Sequence, residues 1–405
     1  MTTVVLLGTL DTKGPEYAWL VDRVRVAGCE TVLVDTGVLG EPGALADVPR
    51  ERVSEQLGRL RIDKDRGAAI AAMAEGAAEL VVDLHRQGQL HGVLAVGGSS
   101  GSALAAHAMR ALPVGVPKLL VSTMAAGDCS PYVGGSDITM MYSVVDIAGI
   151  NQVSERVLGN AAAAIAGMAL AYHESERYPS RHDRPLVAAS MFGVTTPAVD
   201  AARGRLEELG YEVLVFHATG AGGRSLESLA DGGFLAGVLD LTTTELADDL
   251  VGGVLTAGPR RLTAAARNGV PQVVSAGALD MVNFGPLDSV PARFTGRTTH
   301  VHNPSVTLVR TTGPELAELG RRIAAKLSAS TGPTAFFLPK RGFSALDAPG
   351  GPFHDPAANA EFAEQLRSGL ATSTVELHEL DQHVNDAEFA VAAAERLHEL
   401  IRESP

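Results

Sequence analysis

Short apolar segments alternate with amphipathic segments through the first part of the chain. Val4–Gly8 and Thr31–Asp35 are rich in Val and Leu and predict buried strands, and Pro15–Ala27 between them predicts a helix. Apolar residues recur at helical spacing over Asp65–Gln87, and the apolar run at His91–Val96 predicts the next strand. Strands that alternate with helices in this way are typical of an α/β fold with a doubly wound parallel sheet.

The pattern stops at a charged, proline-containing segment, Pro179–Pro185, and then begins again. We place a domain boundary there, between an N-terminal Rossmann-like nucleotide-binding domain of residues 1–180 and a C-terminal Rossmann-like domain of residues 181–405. The second part repeats features of the first in the same order; for example, Asn268–Ser275 resembles Val114–Ser122. An internal duplication explains this order, although two unrelated Rossmann-like domains would also resemble each other.

The composition narrows the class of protein. Hydrophobic residues make up 46% of the chain and aromatic residues only 4%, which suits parallel sheets that are buried on both faces. The formal net charge of −14 argues against a nucleic-acid partner, because binding to a phosphate backbone needs clustered Lys and Arg. The chain has two cysteines and no apolar run as long as a membrane-spanning helix, so we expect a cytoplasmic protein that binds no membrane.

Glycine, hydroxyl and lysine residues follow the predicted strands of the first domain. In an open parallel sheet, ligands bind beyond the carboxyl ends of the strands, where glycines let the backbone approach a phosphate and Lys13 adds a cation. Neither the P-loop spacing nor GxGxxG is present, so plain turns between strand and helix are an alternative. The residues that we expect to bind a nucleotide cofactor are Thr9, Asp11, Thr12, Lys13, Asp35, Gly97, Gly98, Ser99, Ser100, Gly101, Thr123 and Gly127.

Asp128 is the candidate metal ligand. Magnesium bound beside phosphates commonly takes one or two carboxylates and keeps several waters, and Asp137 could supply a second carboxylate. Capping of a helix or stabilisation of a turn is the alternative role for both side chains.

Histidine and aspartate residues concentrate in loops of the second domain. His302, Asp347, His383 and Asp386 are candidate catalytic residues, because converging His and Asp side chains can act as acid and base or bind a metal. No zinc-binding spacing such as HExxH is present. The alternative is a set of surface loops in which Asp386 caps a helix.

Short motifs spread over nearly the whole chain match one known family. The matching stretches are Gly8–Gly14, Gly97–Gly101, Ser122–Asp128, Ser136–Met141, Ser143–Asp146, His302–Pro304, Leu346–Asp347, Pro349–Phe353, and His383 with Asn385–Asp386. Through them the chain resembles the tomato mosaic virus resistance (Tm-1-like) ATP-binding protein family. This resemblance implies two Rossmann-like domains, binding of ATP and Mg²⁺, and assembly as a homodimer or a higher homo-oligomer.

Three functions are compatible with these residues. The first is an ATP-binding protein, or an ATP- and Mg²⁺-dependent enzyme that acts on a small anionic molecule. The second is a metal-dependent or acid/base hydrolase or lyase with its site in the cleft between the domains. The third is a regulatory binding module without turnover. The pattern favours an enzyme, but a fold of this class does not by itself define a reaction.

Overall fold

The structure, a computed structural model, describes residues 1–55, 58, 65–177 and 184–404. The chain divides into two compact units, Met1–Arg181 (unit 1) and His182–Pro405 (unit 2). Residues 178–183, next to the predicted domain boundary, lie outside the described part of the chain. Each unit has its own sheets and its own hydrophobic cores.

Unit 1 is a five-stranded parallel sheet with helices on both faces. Its strands are β1 (Thr3–Gly8), β2 (Glu30–Asp35), β3 (Gly92–Gly97), β4 (Lys118–Ser122) and β5 (Thr139–Tyr142). Its helices are α1 (Leu10–Val26), α2 (Arg50–Val53), α3 (Arg66–Arg86), α4 (Ser99–Arg110), α5 (Ser130–Val133) and α6 (Gln152–Arg177). The strands lie in the order β2-β1-β3-β4-β5, which confirms the predicted doubly wound α/β fold.

Neighbouring residues of β1 face opposite layers of helices. Val5 and Leu7 pack in one core with residues of α3 and α4, whereas Val4 and Leu6 pack in another core with residues of α1 and α6. This alternation is the period of two of an extended strand. Because both faces of the sheet are buried, its strands are continuous apolar runs in the sequence.

The hydroxyl of Tyr17 joins β1 and β3 at the point where their pairing ends. The two strands are in register up to Leu7 and Ala95. Beyond them, the fully buried Tyr17 hydroxyl donates to the carbonyl of Leu7 at 2.5 Å and accepts the N–H of Val96 at 2.7 Å. Gly8 must lack a Cβ, because one would lie 2.6 Å from the Tyr17 ring. The strands part at this position, and the loops that follow them border a crevice.

Unit 2 contains a six-stranded parallel sheet and a three-stranded antiparallel sheet. Its strands are β6 (Leu186–Met191), β7 (Glu212–His217), β8 (Leu235–Thr242), β9 (Gln272–Gly277), β10 (Met281–Phe284), β11 (Thr299–Asn303), β12 (Val306–Arg310), β13 (Thr334–Pro339) and β14 (Glu376–Leu380). Its helices are α7 (Thr196–Glu208), α8 (Ala221–Asp231), α9 (Thr244–Val251), α10 (Ala264–Arg267), α11 (Gly313–Ser328), α12 (Pro356–Leu370) and α13 (Ala387–Glu403). The parallel sheet has the order β14-β13-β9-β8-β6-β7, and the antiparallel sheet, which the sequence pattern does not predict, has the order β10-β12-β11.

The first four strands of the parallel sheets follow the same order in both units. The order β2-β1-β3-β4 in unit 1 corresponds to β7-β6-β8-β9 in unit 2. In this order the connections change direction between β1 and β3, and between β6 and β8, which is where open α/β sheets bind ligands. An internal duplication would leave such a shared order, and the duplication itself stays a prediction.

Helix α6 is alanine-rich but buried on one side only. Leu158, Ile165 and Ala169 face the core, whereas Arg156 and Asn160 are exposed. This is the pattern of a helix that covers a sheet at the surface of a domain. Across the described ranges, none of the helices combines the length and the apolar character that a membrane span requires.

The Tyr17→Phe substitution tests the hydroxyl bridge between β1 and β3. It leaves the carbonyl of Leu7 and the N–H of Val96 buried without their partner, so we expect the free energy of unfolding to fall by about 1–3 kcal/mol. Urea denaturation measures the change. Tyr142→Phe is the matched control, because Tyr142 is 44% exposed, and its effect should stay within about 0.5 kcal/mol. Equal losses in the two variants would contradict the bridging role.

Candidate functional site

A cavity of about 290 Å³ lies at the carboxyl edge of the unit 1 sheet. It is bordered by the loops that follow β1, β2 and β3, at the switch point of the sheet. Its walls include many of the predicted nucleotide-binding residues, namely Thr9, Asp11, Thr12, Lys13 and Gly98–Gly101. The volume is close to the lower end of the range that small-molecule sites occupy in proteins.

The first turn of α4 forms one wall of this cavity. Gly98 precedes the helix in an extended conformation, and Ser99 and Ser100 are exposed. Within the described residues no side chain caps this helix start, so its first N–H groups remain available to an anion. Gly97 does not line the cavity; a Cβ there would lie 3.3 Å from Gly101, so the glycine lets the strand approach the helix closely.

Two cations border the cavity. The backbone of Lys13 leaves helical geometry inside α1, with φ −133° and ψ 25°. The Lys13 ammonium donates to the carbonyl of Ile147 at 2.6 Å, which leaves two of its three N–H donors for a ligand. The hydroxyls of Thr9 and Thr12, which are 3.0 Å apart, line the same cavity. Arg66, the first residue of α3, is the second cation, and the sequence analysis did not identify it.

Asp35 binds loop backbone and does not line the cavity. It is 2% exposed, and its Oδ1 accepts the N–H of Leu10 at 3.2 Å and the N–H of Gly37 at 2.8 Å. Its Oδ2 accepts the guanidinium of Arg50 at 2.7 Å. Oδ1 therefore holds together the segments that follow β1 and β2, and Oδ2 attaches the start of α2.

Apolar side chains complete the cavity. They belong to the loop after β2, to α3 and to α4: Val38, Leu39, Ile70 and Leu104. Asp11 holds this loop in place, because its carboxylate accepts the N–H of Leu39 at 2.7 Å. No local motif marks these residues, and the helical periodicity of α3 indicates only that Ile70 is packed. The cavity thus combines polar groups suited to an anion with an apolar surface.

The loop after β4 lies beside the cavity. Thr123 Oγ1 is 3.8 Å from the position that a Cβ on Gly98 would take, but neither Thr123 nor Gly127 lines the cavity. The hydroxyls of Ser102 and Ser122, 2.6 Å apart, connect α4 to the last residue of β4. The residues predicted in this loop are therefore neighbours of the cavity and not part of its walls.

Asp128 and Asp137 lie at opposite edges of the unit 1 sheet. Asp137 accepts the ammonium of Lys118 at 2.6 Å and the N–H of Gly115 at 2.7 Å, near the amino end of β4. Asp128 follows the carboxyl end of β4 and is exposed; hydrogen bonds from Ser130 lower the pKa of its carboxyl group. In the part of the chain that the structure describes, no group of three or more His, Cys, Asp or Glu is arranged to hold a metal.

Asp347 is fully buried, and unit 2 uses its carboxylate internally. Its Oδ2 accepts the N–H of Phe343 at 2.9 Å and the side-chain amide of Asn359 at 2.6 Å. Its Oδ1 accepts the N–H of Asp355 at 3.3 Å and lies 3.7 Å from the guanidinium of Arg310. In this conformation Asp347 holds the turn after β13 and offers no surface to a substrate.

The other predicted catalytic residues divide into two places. The carbonyl of Ser344 accepts the Nε2–H of His383 at 2.9 Å and the N–H of Asp347 at 3.0 Å. Asp386 precedes α13 and accepts the N–H of His383 at 2.8 Å. His302 is exposed on β11 of the antiparallel sheet. The structure therefore brings together the two turns that carry Asp347, His383 and Asp386, whereas among the described residues the exposed His302 has no hydrogen bond to them.

Asp280 is a buried carboxylate that the sequence analysis did not identify. Its Oδ2 accepts the hydroxyl of Ser344 at 2.7 Å, and its Oδ1 has no hydrogen-bond partner among the described residues. Burial, together with the nearby carboxylate of Asp347, raises the pKa of Asp280 to about 7. Asp280 thus keeps its proton at pH values where an exposed aspartate has lost it.

The fold defines the chain as an α/β protein of two Rossmann-like units. Unit 1 has a cavity at the switch point of its parallel sheet. The model of the Uncharacterised protein family (UPF0261) N-terminal domain matches residues 2–174, and the model of the C-terminal domain matches residues 184–401. The chain belongs to the UPF0261 family.

The chain is similar to bacterial and plant proteins over nearly its whole length. A UPF0261 protein of Clostridium tetani is 46% identical over 398 residues, which cover 97% of this chain and 98% of that protein. The ToMV resistance protein Tm-1(GCR237) of Solanum lycopersicum is 41% identical over 421 residues, which cover 98% of this chain and 55% of the tomato protein. The resemblance inferred from the motifs is thereby confirmed. Among solved structures, the spinosyn rhamnosyltransferase SpnG is 13% identical over 100% of this chain and 97% of its own, with a TM-score of only 0.19.

The raised pKa of Asp280 predicts a pH dependence of stability. Its folded-state pKa of about 7 lies above the unfolded value, so the native state binds more protons between the two values. The contribution of Asp280 to the free energy of unfolding is therefore fully present below about pH 4, and it is lost as the pH rises through the folded-state pKa. Asp280→Asn should remove this loss, as measured by urea denaturation from acid to neutral pH. Asp128→Asn is the control: because the pKa of the Asp128 carboxyl group is lowered, this variant should keep the wild-type loss of stability between about pH 4 and pH 7. An Asp280→Asn curve parallel to the wild-type curve would refute the assignment.

Proposed function

We propose that unit 1 binds ATP, or a closely related nucleoside polyphosphate, in the cavity between β1 and β3. The observation that carries the proposal is an uncapped helix start, a lysine and an arginine at one cavity. Backbone N–H groups at the positive end of a helix dipole and side-chain cations are the groups that recognise phosphate. The chain as a whole has a formal net charge of −14, so these donors are a local feature and not part of a generally basic protein.

The apolar part of the cavity supports a ligand that also carries a ring. Val38, Leu39, Ile70 and Leu104 offer the kind of surface on which a nucleobase is buried. Thr9 and the other cavity hydroxyls are suited to the hydroxyl groups of a sugar. A free phosphate would use only the polar part, so the combined lining favours a nucleotide over a small inorganic anion.

Magnesium would enter this site together with the phosphates. Mg²⁺ usually keeps several waters and binds through one or two carboxylates plus substrate phosphates. Asp128 lies at the same edge of the sheet as the cavity and stays ionised, which supports it as the carboxylate on this side. Asp137 is paired with Lys118 at the other edge of the sheet, so we do not propose it as a magnesium ligand.

The alternative functions have different degrees of support. A hydrolase or lyase built on the second-unit residues is disfavoured, because Asp347 has no exposed surface and His302 lies on another sheet. A regulatory module that binds a nucleotide without turnover would use the same cavity as an enzyme.

The resistance named for the tomato relative is a property of that protein. A homodimer and a cytoplasmic location stay part of the proposal, and they rest on the resemblance and on the composition.

Gly98→Val tests whether the nucleotide binds at the start of α4. Gly98 has φ −85° and ψ −164°, and a Cβ there would meet only Thr123 Oγ1 at 3.8 Å, so the backbone accepts the new side chain while the cavity loses space. We expect calorimetric titration with ATP and Mg²⁺ to show binding to the wild type and none to the variant. In the wild type, ATP at 100 times its dissociation constant should also raise the free energy of unfolding by ~2.7 kcal/mol.

Gly167→Val is the matched control for this experiment. Gly167 is exposed on α6, and a Cβ there would have no atom within 4 Å, so the same substitution should leave ATP affinity unchanged. If Gly98→Val binds ATP with the wild-type affinity, the cavity is not the ATP-binding site. If the wild type does not bind ATP, the glycine loops serve another anion.

Lys13→Gln separates recognition of the phosphates from recognition of the base. A hydrogen bond to a charged group contributes about 1.5–3 kcal/mol, so the affinity for ATP should fall roughly 10- to 100-fold. The affinity for adenosine should not change, because adenosine has no phosphate to lose contact with. Lys340→Gln is the control, since Lys340 is exposed in unit 2. An equal loss of affinity for ATP and for adenosine would show that Lys13 acts through the shape of the loop.

Release of inorganic phosphate in the same samples distinguishes the two kinds of nucleotide-binding protein. Steady release that Gly98→Val abolishes would identify an ATP-consuming enzyme. Binding without release would identify a regulatory module, or an enzyme that needs its second substrate before it uses ATP.

A further inference from the structure

Unit 2 contains a counterpart of the cavity wall formed by α4. In unit 1, β3 leads into α4, whose second residue is Ser100; in unit 2, β8 leads into α9, whose second residue is Glu245. Ser100 is exposed and lines the cavity, whereas Glu245 is fully buried. Two residues at the same topological position therefore have opposite environments.

The carboxylate of Glu245 occupies the start of a neighbouring helix. Its Oε1 accepts the N–H of Gly220 at 2.6 Å and the N–H of Gly223 at 3.1 Å, at the beginning of α8. Gly220 has φ +83°, which favours glycine, and a Cβ on Gly223 would lie 2.1 Å from Glu245 Oε2. The loop is thus shaped around an anion, and that anion is a side chain of the same protein.

A buried arginine holds this carboxylate in place. Arg261 has no exposed surface, and its Nε donates to Glu245 Oε2 at 2.6 Å. The same guanidinium forms two hydrogen bonds to Asp240, one of them at 2.7 Å, and Glu227 lies 3.4 Å away. Ser190, in β6, donates to Asp240 at 2.6 Å. The network thus fills the edge of the sheet between β6 and β8.

We propose that Glu245 is an internal anion that closes the switch-point edge of unit 2, the counterpart of the edge at which unit 1 is proposed to bind the nucleotide phosphates, so that each chain binds a single nucleotide. The inference rests on the proposed function of unit 1 and adds its stoichiometry and the residue that determines it. A duplicated fold would otherwise offer one phosphate-binding switch point in each unit.

The first experiment counts nucleotides per chain. Calorimetric titration of the full-length wild type with ATP and Mg²⁺ should give one site, and Gly98→Val should remove it. Two sites per chain, or one site that survives Gly98→Val, would overturn the inference. If the wild type binds no ATP, the proposed function fails, and the second experiment then decides separately on the role of Glu245.

The second experiment opens unit 2 and uses inorganic phosphate as the probe. In a Gly98→Val background, Glu245→Ser introduces the residue type that unit 1 has at Ser100 and uncovers the N–H groups of Gly220 and Gly223 next to Arg261. We expect phosphate to raise the melting temperature of this variant in a saturable manner. Glu245→Gln, which keeps the volume of the side chain, should show only the unsaturable stabilisation that phosphate salts give to any protein.

Two results of the second experiment would refute the role of Glu245. One is a folded Glu245→Ser variant without a saturable response to phosphate. The other is an equal saturable response in Glu245→Gln, which would mean that the side chain does not close the loop. If Glu245→Ser does not fold, the count of nucleotides in the wild type still tests the inference.

Discussion

The helices that follow β1 and β3 must cover opposite faces of the same sheet, and the architecture of unit 1 depends on this constraint. α1 packs with α6 on one face, and α4 packs with α3 on the other, so the two loops leave the sheet in opposite directions. Where the strands part, the hydroxyl of Tyr17 pairs with the carbonyl of Leu7 and the N–H of Val96. These two buried backbone groups are thereby paired, and a stable gap results.

The same constraint acts on β6 and β8 in unit 2, where the side chains give a different result. The guanidinium of Arg261 and the carboxylates of Asp240 and Glu245 lie at that edge without contact with solvent. Buried charges are tolerated when each is paired and hydrogen-bonded, as these are. At the corresponding edge of unit 1, glycines and small hydroxyl residues leave the start of α4 uncovered. One topology thus supports an open cavity in one unit and an ion-pair network in the other.

Local signals explain which parts could be predicted. The strand predicted at Thr31–Asp35 differs from β2 by one residue, and α3 agrees closely with the helical spacing over Asp65–Gln87. Lys13 and the glycine–serine loop before α4 were identified because they follow such strands. The antiparallel sheet was missed, since β10 has only four residues and pairs with β12, a segment distant in sequence. Short strands of this kind have no periodicity long enough to recognise.

The sequence by itself determined the alternation of strands and helices, the α/β class of both units and the loops that lie at the carboxyl edge of each sheet. Only the tertiary structure decided which side chains of those loops face a cavity. Asp35 is a carboxylate at the end of β2, next to such a loop, yet it binds Arg50 and loop backbone. Ile70 and Leu104, in contrast, belong to no motif and line the cavity. The reason is that a local pattern specifies the backbone conformation of neighbouring residues, while a cavity is formed by residues far apart in sequence that meet only when helices pack on the sheet.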